Sequence, residues 1–533
     1  MVTLVVKSFK VIIFSLIVVW YGIFLTHKID LTTADLGRHI QNGNIIVNAP
    51  WLDKIDVLKT NYYSYTLNDQ SFINHHWGSG VVFYFIYLWF GFSGLSVLYA
   101  LFGVLTVLVF WDIARRMSNF WVATGVAVVI LPLVTTRAEV RPEVFTYFLT
   151  GVFFWTLYLH RSNIQYSRFN IHKLVWLLTL AMLLWVNLHI GFVFGFLVLG
   201  AFGLEQMIKD IRLKIQDKTN PILSKNFYKL LYISIISLIA GLINPNFIQG
   251  LLYPLNIFKN YGYLIVENQS VKFLENIGVI NNQHFLLFKV VVIVTVISFI
   301  GVAIRNYRKI DIAQLVLVVV TAVMAYLGIR NFPSFALFTL PALAGSIYFI
   351  IPKNFHIAYK ITLSIIVIVL VGSCANVQYQ NFVNIRPVLG FGLLPEVNGS
   401  ADFFKTNNLK GPIFNDYDIG GYLIFNLYPE KVYVDNRPEA YTNDFFQKEY
   451  IPAQENFEKW KEIDIKYNFN TIFFSHRDYT PWAQAFLVSK VLDPDWAPVF
   501  LDSYNIIFVR RSQTNTELIK KYEIPKERFG ITE

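Results

Sequence analysis

Apolar segments long enough to cross a lipid bilayer recur along most of this chain, and they constrain its fold more than any other feature. A spanning helix needs roughly 20 mostly apolar residues, because each residue adds only about 1.5 Å to its length. The composition agrees, since 55% of the 533 residues are hydrophobic and only 15% are charged. Soluble domains carry about a quarter charged residues. The sequence therefore predicts a polytopic membrane protein.

The distribution of lysine and arginine predicts the topology of these spans. Lys7 and Lys10 precede the first span, so the amino terminus is expected in the cytoplasm. The basic loop 208–229 is expected on the same side, and the aromatic segment 77–90 is expected to be interfacial or re-entrant. We predict about eleven spans, near residues 11–26, 95–113, 121–134, 145–159, 174–186, 192–207, 230–243, 286–304, 312–327, 335–351 and 361–376.

The part of the chain after the last span differs in kind. Its patterns predict strands at 412–415, 431–435 and 470–474, helices at 420–427, 456–463 and 481–492, and a hairpin of 498–501 with 506–509. Alternating strands and helices favour a small α/β domain. The fold prediction is thus an all-α polytopic membrane domain over residues 1–379, with a large first outer loop at 27–74, and a C-terminal extracytoplasmic α/β domain over residues 380–533.

Charge and cysteine content exclude some classes of protein. The net charge of +10 lies largely in short loops, as expected for a multi-pass plasma-membrane protein, and does not indicate a nucleic-acid partner. The single cysteine, Cys374, excludes an intrachain disulfide framework.

Unusual polar residues gather on the predicted outer side, whereas the inner loops carry mostly lysine and arginine. Each cluster taken alone fits helix capping or interfacial snorkelling. Because all of them fall on one membrane face, they together predict a site at the outer ends of the helices. The clusters contain Asp35 and His39, then Asn74 to Trp77, Arg137 to Pro142, Asn187 to His189, Asn244 to Asn246, and Arg330 with Asn331.

These residue types suit transfer of a group from a lipid-linked phosphate. Asp35 is the first candidate for a general base that takes a proton from an acceptor hydroxyl, and Glu139 is the second. Arginine binds phosphate in a bidentate geometry that lysine lacks. An alternative is that Arg137, Glu139 and Arg141 form a local ion-pair ladder. The candidate substrate-binding residues are His39, His75, His76, Trp77, Arg137, Arg141, His189, Asn244 and Arg330.

The sequence gives less support for a metal-binding site. His75 and His76 are adjacent, and neighbouring side chains point apart on a strand or a helix, so we do not expect both to bind one ion. The sequence contains no HExxH or CxxC pattern, which leaves a zinc site weakly supported. A divalent ion, Mg²⁺ or Mn²⁺, that bridges Asp35 and a donor phosphate is an open alternative.

Several short motifs, in this order, resemble the GT-C superfamily of integral-membrane glycosyltransferases. The first loop holds Asp35 and His39, and His75-His76-Trp77 precedes the aromatic segment. His76 stands where an acid is frequent in the family. The remaining motifs are Arg141-Pro142, Trp185 to His189, Asn244-Pro245, Asn415 to Leu423, and Asp435 to Arg437. The resemblance implies a catalytic acid in the first outer loop, a polyprenyl-phosphate sugar donor, and a glycan, lipid or protein acceptor.

The tail motifs have structural explanations as well. Gly420-Gly421 lacks the rest of a phosphate-binding fingerprint and predicts close packing at the start of a helix. Asp435 and Arg437 either touch an acceptor or form an ion pair inside the domain, and we favour the ion pair.

Three functions remain open: an inverting glycosyltransferase, a transporter or flippase of lipid-linked intermediates, and a non-catalytic envelope scaffold. A transporter is expected to place polar groups near the bilayer midplane, whereas here they crowd one face, so the sequence favours the enzyme.

Overall fold

A computed structural model of the chain describes residues 2–33, 35–162, 171–259, 261–278, 283–351 and 388–530. The described part is mostly helical and contains one small sheet. It divides into two compact units. The first comprises Met1–His27, Ser96–Asn244 and Ile265–Gly390, and the second comprises Lys28–Leu95, Pro245–Leu264 and Phe391–Glu533. The domain boundary predicted near residue 379 lies outside the described residues.

The α-helices have the following bounds in chain order: α1 Val2–Leu25, α2 Leu36–Asn48, α3 Trp51–Lys59, α4 Trp77–Met117, α5 Phe120–Val134, α6 Glu143–Ser162, α7 Ile171–Leu188, α8 Val193–Gln216, α9 Lys225–Gly241, α10 Phe247–Leu252, α11 Val271–Asn276, α12 Gln283–Asn306, α13 Ile312–Leu327, α14 Phe332–Ile350, α15 Gly399–Thr406, α16 Gly420–Leu427, α17 Ile451–Glu455, α18 Phe457–Tyr467, α19 Pro481–Leu492 and α20 Thr516–Tyr522. A π-helical turn, Phe445–Tyr450, precedes α17.

The first unit consists of apolar helices, and each of the first ten predicted spans lies on a helix. Within the described residues, four helical stretches are long and apolar enough to cross a membrane: Trp77–Met117, Ile190–Gln216, Gln283–Lys309 and Ile329–Ile350. Shorter apolar helices are Lys10–Leu25, Phe120–Val134, Lys173–Leu188 and Ile312–Leu327. The eleventh predicted span and Cys374 lie outside the described residues, and the total of eleven stays a prediction.

Local chemistry explains where two of these helices begin and break. Asn119 caps α5, because its side-chain oxygen accepts hydrogen bonds from the backbone N–H groups of Trp121 at 2.9 Å and Val122 at 3.0 Å. Inside α4, Gly91 leaves the helical conformation with φ 61° and ψ −162°. Glycine reaches positive φ without a side-chain clash. The aromatic segment 77–90 is therefore a helix that ends at this break.

The second unit contains most of the predicted first loop, which includes α2 and α3. Asp35 precedes α2, and its backbone oxygen accepts the His39 N–H at 3.1 Å, so the two residues lie one helical turn apart as expected. Gly37 of α2 lies against α16, where a Cβ atom would come within 2.8 Å of the Gly421 oxygen. At Gly420 a Cβ atom would lie 2.4 Å from the Cα atom of Asp435. The predicted close packing at Gly420-Gly421 is confirmed.

The sheet of the second unit has four strands: β1 Ile413–Asn415, β2 Thr471–Ser475, β3 Trp496–Leu501 and β4 Asn505–Arg510. Their order is β1-β2-β4-β3, with β1 and β2 parallel and the other neighbours antiparallel. Phe414 and Phe473 are fully buried in its core. The helices predicted at 420–427 and 481–492 coincide with α16 and α19.

The strand predicted at 431–435 is wrong. Within this segment Val432 forms a single bridge with Ser64. The side-chain amide of Asn415 is hydrogen-bonded to the backbone of this segment. Its oxygen accepts the Tyr433 N–H at 2.9 Å, and its nitrogen donates to the Val434 oxygen at 2.8 Å. A side-chain amide has taken the hydrogen bonds that a neighbouring strand would make.

Candidate functional site

The first unit contains an ion network that we call the arginine cluster: Arg137, Arg141, Arg330, Glu139, Glu143 and Glu267. Arg137 donates to Glu143 through Nε and Nη2, both at 3.0 Å, and also to Glu267. Arg330 donates to Glu143 at 2.7 Å and to Asn268 at 2.9 Å. The cluster thus joins the segment before α6, the first turn of α6 and two single-turn 3₁₀ helices, Val266–Asn268 and Ile329–Asn331.

Glu139 has a peripheral place in this cluster. Its side chain is 48% exposed and pairs with Arg141 at 2.7 Å. Arg141 also reaches Glu267 at 3.3 Å. The proposed ladder of Arg137, Glu139 and Arg141 is therefore only half present, because the carboxylates bonded to Arg137 are Glu143 and Glu267. Burial alone would raise the pKa of Glu267, but Arg137, Arg141 and Arg330 hold it below its ordinary value.

His189 lies beside the arginine cluster and is held in one tautomer. Its Nδ1 accepts the Gly191 N–H at 3.0 Å, so in the neutral ring the proton sits on Nε2. Thr146 hydrogen-bonds the same Nδ1 at 2.7 Å and accepts the Trp185 indole N–H at 2.9 Å. Burial lowers the pKa of His189 to about 4, an effect that the Glu143 carboxylate opposes. Neutral His189 therefore adds no charge to the cluster at neutral pH.

Two other predicted binding residues have local structural roles. Asn244 donates to the Gly241 oxygen at 2.9 Å and closes the end of α9. Trp77 begins α4, and the backbone oxygen of His76 accepts the Gly80 N–H at 3.0 Å to start that helix.

The second unit contains the carboxylate predicted to be the base, in what we call the Asp35 site: Asp35, Arg38 and Asn436. The Asn436 amide donates to Asp35 Oδ1 and accepts from Arg38 Nε at 3.4 Å. Arg38 itself approaches Asp35 Oδ2 to 3.9 Å. The Asp35 side chain is 26% exposed and that of Arg38 only 5%. One carboxylate is thus held in a fixed orientation while it keeps access to solvent.

Asn436 is held in position by one buried ion pair, whose partners Asp435 and Arg437 precede and follow it in the sequence. Arg437 donates to Asp435 through Nε at 2.7 Å and Nη2 at 2.6 Å, and Nη2 also donates to Asn61 at 2.7 Å. Asp435 is fully buried and Arg437 is 3% exposed. The pair is therefore internal to the unit, as favoured from the sequence, and the residue between its partners points to Asp35.

The histidines of the second unit form a cluster near the start of α4. The rings of His75 and His76 are 4.0 Å apart, and His39 meets His76 edge-on at 5.2 Å. The expectation that His75 and His76 point apart is wrong, because they lie in a turn rather than in a strand or helix. His75 Nδ1 lies 3.1 Å from the Ile73 oxygen, which can only accept, so Nδ1 carries the proton.

The described residues give no support for a metal centre. Among the described residues, no three His, Cys, Asp or Glu side chains form a group that could hold a metal ion. The divalent ion considered beside Asp35 stays a prediction.

With this geometry established, comparisons with known proteins become informative. No family model and no curated protein sequence matches the chain. Among solved structures, it is similar to the oligosaccharyltransferase AglB from Archaeoglobus fulgidus in complex with an inhibitory peptide and a dolichol-phosphate, with a TM-score of 0.60 and 11% identity over 96% of this chain and 75% of that one. The chain shares the fold of this enzyme. The predicted resemblance is confirmed at this level, and identity this low establishes the fold alone.

Two further GT-C structures also match, both of ArnT from Cupriavidus metallidurans. The form bound to undecaprenyl phosphate has a TM-score of 0.45 and covers 95% of this chain and 99% of that one. The apo form has a TM-score of 0.46 and covers 95% and 98%, and both are 12% identical.

Four polar residues near these sites were not predicted from the sequence. Glu143 stands six residues after Arg137 in the first turn of a predicted span, where an acidic residue is common. Glu267 and Asn268 lie in a long segment without periodicity, so no local signal marks them. Glu439 follows the Asp435–Arg437 motif. Burial raises its pKa, Arg38 and Arg437 oppose this, and the Asp35 charge adds to it.

Proposed function

We propose that this protein is an inverting membrane glycosyltransferase that moves a sugar from a polyprenyl-phosphate-linked donor to an acceptor on the outer face of the membrane. The observation that carries the proposal is the Asp35 site, where the Asn436 amide orients a carboxylate that is 26% exposed. A general base must be fixed and still reach its substrate. Asp35 meets both conditions, whereas Glu139 is more exposed and pairs with Arg141.

The reaction balances with Asp35 as the base. The acceptor oxygen forms a bond to the anomeric carbon of the sugar while its proton passes to the Asp35 carboxylate. The bond between that carbon and the phosphate oxygen breaks, and its electron pair leaves with the polyprenyl phosphate. Attack from the face opposite the leaving group inverts the anomeric centre. Asp35 then returns its proton to water.

A separate part of the proposal concerns the donor phosphate. We propose that at least one of Arg137, Arg141 and Arg330 binds it, since guanidinium groups match phosphate geometry. Each already pairs with a carboxylate, so phosphate has to exchange with an existing partner.

Transfer by the purified protein is the decisive test. Full-length protein in detergent is incubated with a radiolabelled polyprenyl-phosphate sugar and envelope extract as acceptor, and labelled product is counted. We expect transfer by the parent and by Asp56→Asn, which removes an exposed carboxylate of α3, and none by Asp35→Asn. Translocation of the lipid by the protein in liposomes, without transfer in detergent, would favour the flippase alternative, and neither activity would favour the scaffold.

The outer-face location has its own test. We expect Ser512, in the second unit, to lie outside and Ser224, which begins α9, to lie inside. Cysteines introduced at these two positions are treated with an impermeant thiol reagent in intact cells, with Cys374 replaced. Labelling at Ser224 but not at Ser512 would overturn the topology.

A further inference from the structure

A second group of carboxylates lies in the second unit, at the carboxyl ends of the parallel strands β1 and β2. Asp416 follows β1 directly and donates its N–H to the Phe473 oxygen of β2 at 3.2 Å. Asp478 follows β2 by three residues and is 6% exposed. Carboxyl ends of parallel strands are where open α/β sheets bind ligands. Neither residue belongs to the Asp35 site.

Within the described part of the chain, Asp416 has a donor for each of its carboxylate oxygens, whereas Asp478 has a donor for only one. Asp416 accepts the Asp418 N–H at 3.0 Å and the Ser475 N–H at 3.2 Å. Asp478 Oδ1 accepts the Thr480 N–H at 2.8 Å. In contrast, Asp478 Oδ2 is buried and has no hydrogen-bond partner among the described residues, and the same holds for the hydroxyl of Tyr417. A buried carboxylate oxygen without a donor is costly, which points to a ligand that supplies one.

The electrostatics define the charge of that ligand. Burial raises the pKa of Asp416 well above its ordinary value, and the carboxylates of Asp418 and Asp478 raise it further. The nearby Arg477 is directed elsewhere, since it pairs with Asp30 at 3.1 Å and lies over the Tyr504 ring. Two buried carboxylates can both ionise only when a cation offsets their repulsion. The ligand is therefore expected to be positive.

Aromatic rings are the other feature of this group of carboxylates. Tyr263 stacks on Tyr417 with ring centres 4.1 Å apart and meets Trp482 edge-on at 6.4 Å. Burial raises the pKa of Tyr263, and the carboxylates of Asp418, Asp478 and Asp416 raise it further. Asp418 is exposed and Trp482 half-buried, so the group is open to solvent on that side.

We propose that Asp416 and Asp478, together with the aromatic rings of Tyr263 and Trp482, form a binding site for a primary ammonium group. An ammonium has three N–H donors and no acceptor, which suits a site where Asp478 Oδ2 lacks a donor from the described residues. Aromatic faces attract cations in addition. A metal ion fits less well, because no three His, Cys, Asp or Glu side chains of the described residues form a metal-binding group. This site does not depend on the proposed transferase activity.

Binding of ethanolamine to the full-length protein tests the proposal. Purified protein in detergent is titrated with ethanolamine at pH 7.5, and binding is followed by saturation-transfer difference NMR. N-acetylethanolamine keeps the hydroxyethyl group and lacks the charge, and choline keeps the charge and lacks N–H donors. We expect saturable binding of ethanolamine, and binding of both analogues that is about tenfold weaker or more.

Variants then locate the bound amine. Asp478→Asn is expected to weaken ethanolamine binding about tenfold or more, and Trp482→Leu about threefold or more. Asp495→Asn removes an exposed carboxylate of the same unit and is expected to change binding by less than about twofold. Gel filtration and thermal unfolding confirm that each variant is folded.

The source of the ammonium group is distinguished in nanodiscs. If discs that contain phosphatidylethanolamine abolish the ethanolamine signal and phosphatidylglycerol discs do not, the ligand is a lipid headgroup. If both preserve it, the ligand is a small free amine. The proposal is overturned if binding does not saturate, if N-acetylethanolamine binds equally well, or if Asp478→Asn and Trp482→Leu both bind as the parent does.

Discussion

The arginine cluster of the first unit and the Asp35 site of the second unit differ in how their charged side chains are paired and exposed. The arginine cluster balances three guanidinium groups with three carboxylates, and the Arg137 and Glu143 side chains are each only 12% exposed. The Asp35 carboxylate is 26% exposed, and a neutral amide orients it. The first arrangement pairs every charge at hydrogen-bond distance, whereas the second keeps Arg38 at 3.9 Å from a carboxylate that solvent reaches.

This difference predicts how the two regions respond to substitution. Removing one partner from a buried ion network leaves an uncompensated charge, which costs far more than the pair itself contributed. Changes in the arginine cluster should therefore affect folding as well as binding. Asp35 is accessible to water, contacts the Asn436 amide, and lies 3.9 Å from Arg38, so a neutral substitute of the same shape should affect chemistry much more than folding.

Asp35→Asn is expected to have the largest effect on activity. The substitution keeps the shape of the side chain and removes the charge that accepts a proton. General-base catalysis contributes roughly a hundred- to ten-thousand-fold in rate, so transfer should fall by that factor at matched expression. Donor binding and the unfolding temperature should stay near those of the parent. Transfer at the parental rate would exclude Asp35 as the base and leave Glu139 or a substrate-assisted reaction.

Glu143→Gln is expected to have the largest effect on stability. Glu143 holds both Arg137 and Arg330, and breaking a buried pair costs about 3–5 kcal/mol. Glu139→Gln is the matched control, because its side chain is half exposed and such pairs contribute about 0–1 kcal/mol. Thermal unfolding in detergent compares the two variants. Equal losses would show that the network is not the stabilising element inferred here.

Arginine-to-lysine changes separate a phosphate ligand from a structural cation within the cluster. Arg137→Lys, Arg141→Lys and Arg330→Lys retain charge and lose the planar fork. A buried charge-assisted contact contributes about 1.5–3 kcal/mol, so at least one variant should bind the polyprenyl-phosphate donor about tenfold more weakly. If all three bind it as the parent does, the cluster is structural and the phosphate proposal is wrong.

The sequence predicts the helices well and their long-range partners poorly. Spans such as 312–327 and the helices at 420–427 and 481–492 follow from local periodicity, which depends on nearby residues alone. The strand at 431–435 fails because the side chain of Asn415, distant in sequence, takes its hydrogen bonds. Glu267 pairs with Arg137 across 130 positions, and nothing in the local pattern of either segment indicates this contact.

The candidate site shows the same limit. Asp35, His39 and the outer arginines stand out because ionisable residues are unusual next to apolar spans. Asn436 does not stand out, since asparagine is common in loops and its role depends on the buried Asp435–Arg437 pair around it. A motif can thus be recognised from its charged residues while the neutral residue between them makes the contact.

Asn436→Asp tests that contact, and it has the smallest expected effect. A carboxylate at position 436 would face Asp35 at the distance of the present hydrogen bond, and like charges oppose ionisation of both groups. If Asp35 must be ionised to act as base, the acidic side of the pH–rate profile should move to higher pH, by about one unit.

Asn408→Asp is the control, because it adds the same charge at an exposed position of the same unit. The maximal rate at high pH should be nearly preserved, which separates a shift in protonation from damage to the fold. An unmoved profile, in a protein that Asp35→Asn inactivates, would show that the Asn436 contact is absent from the working enzyme. A parallel fall in rate at every pH would instead mean that Asn436 positions substrate rather than the base.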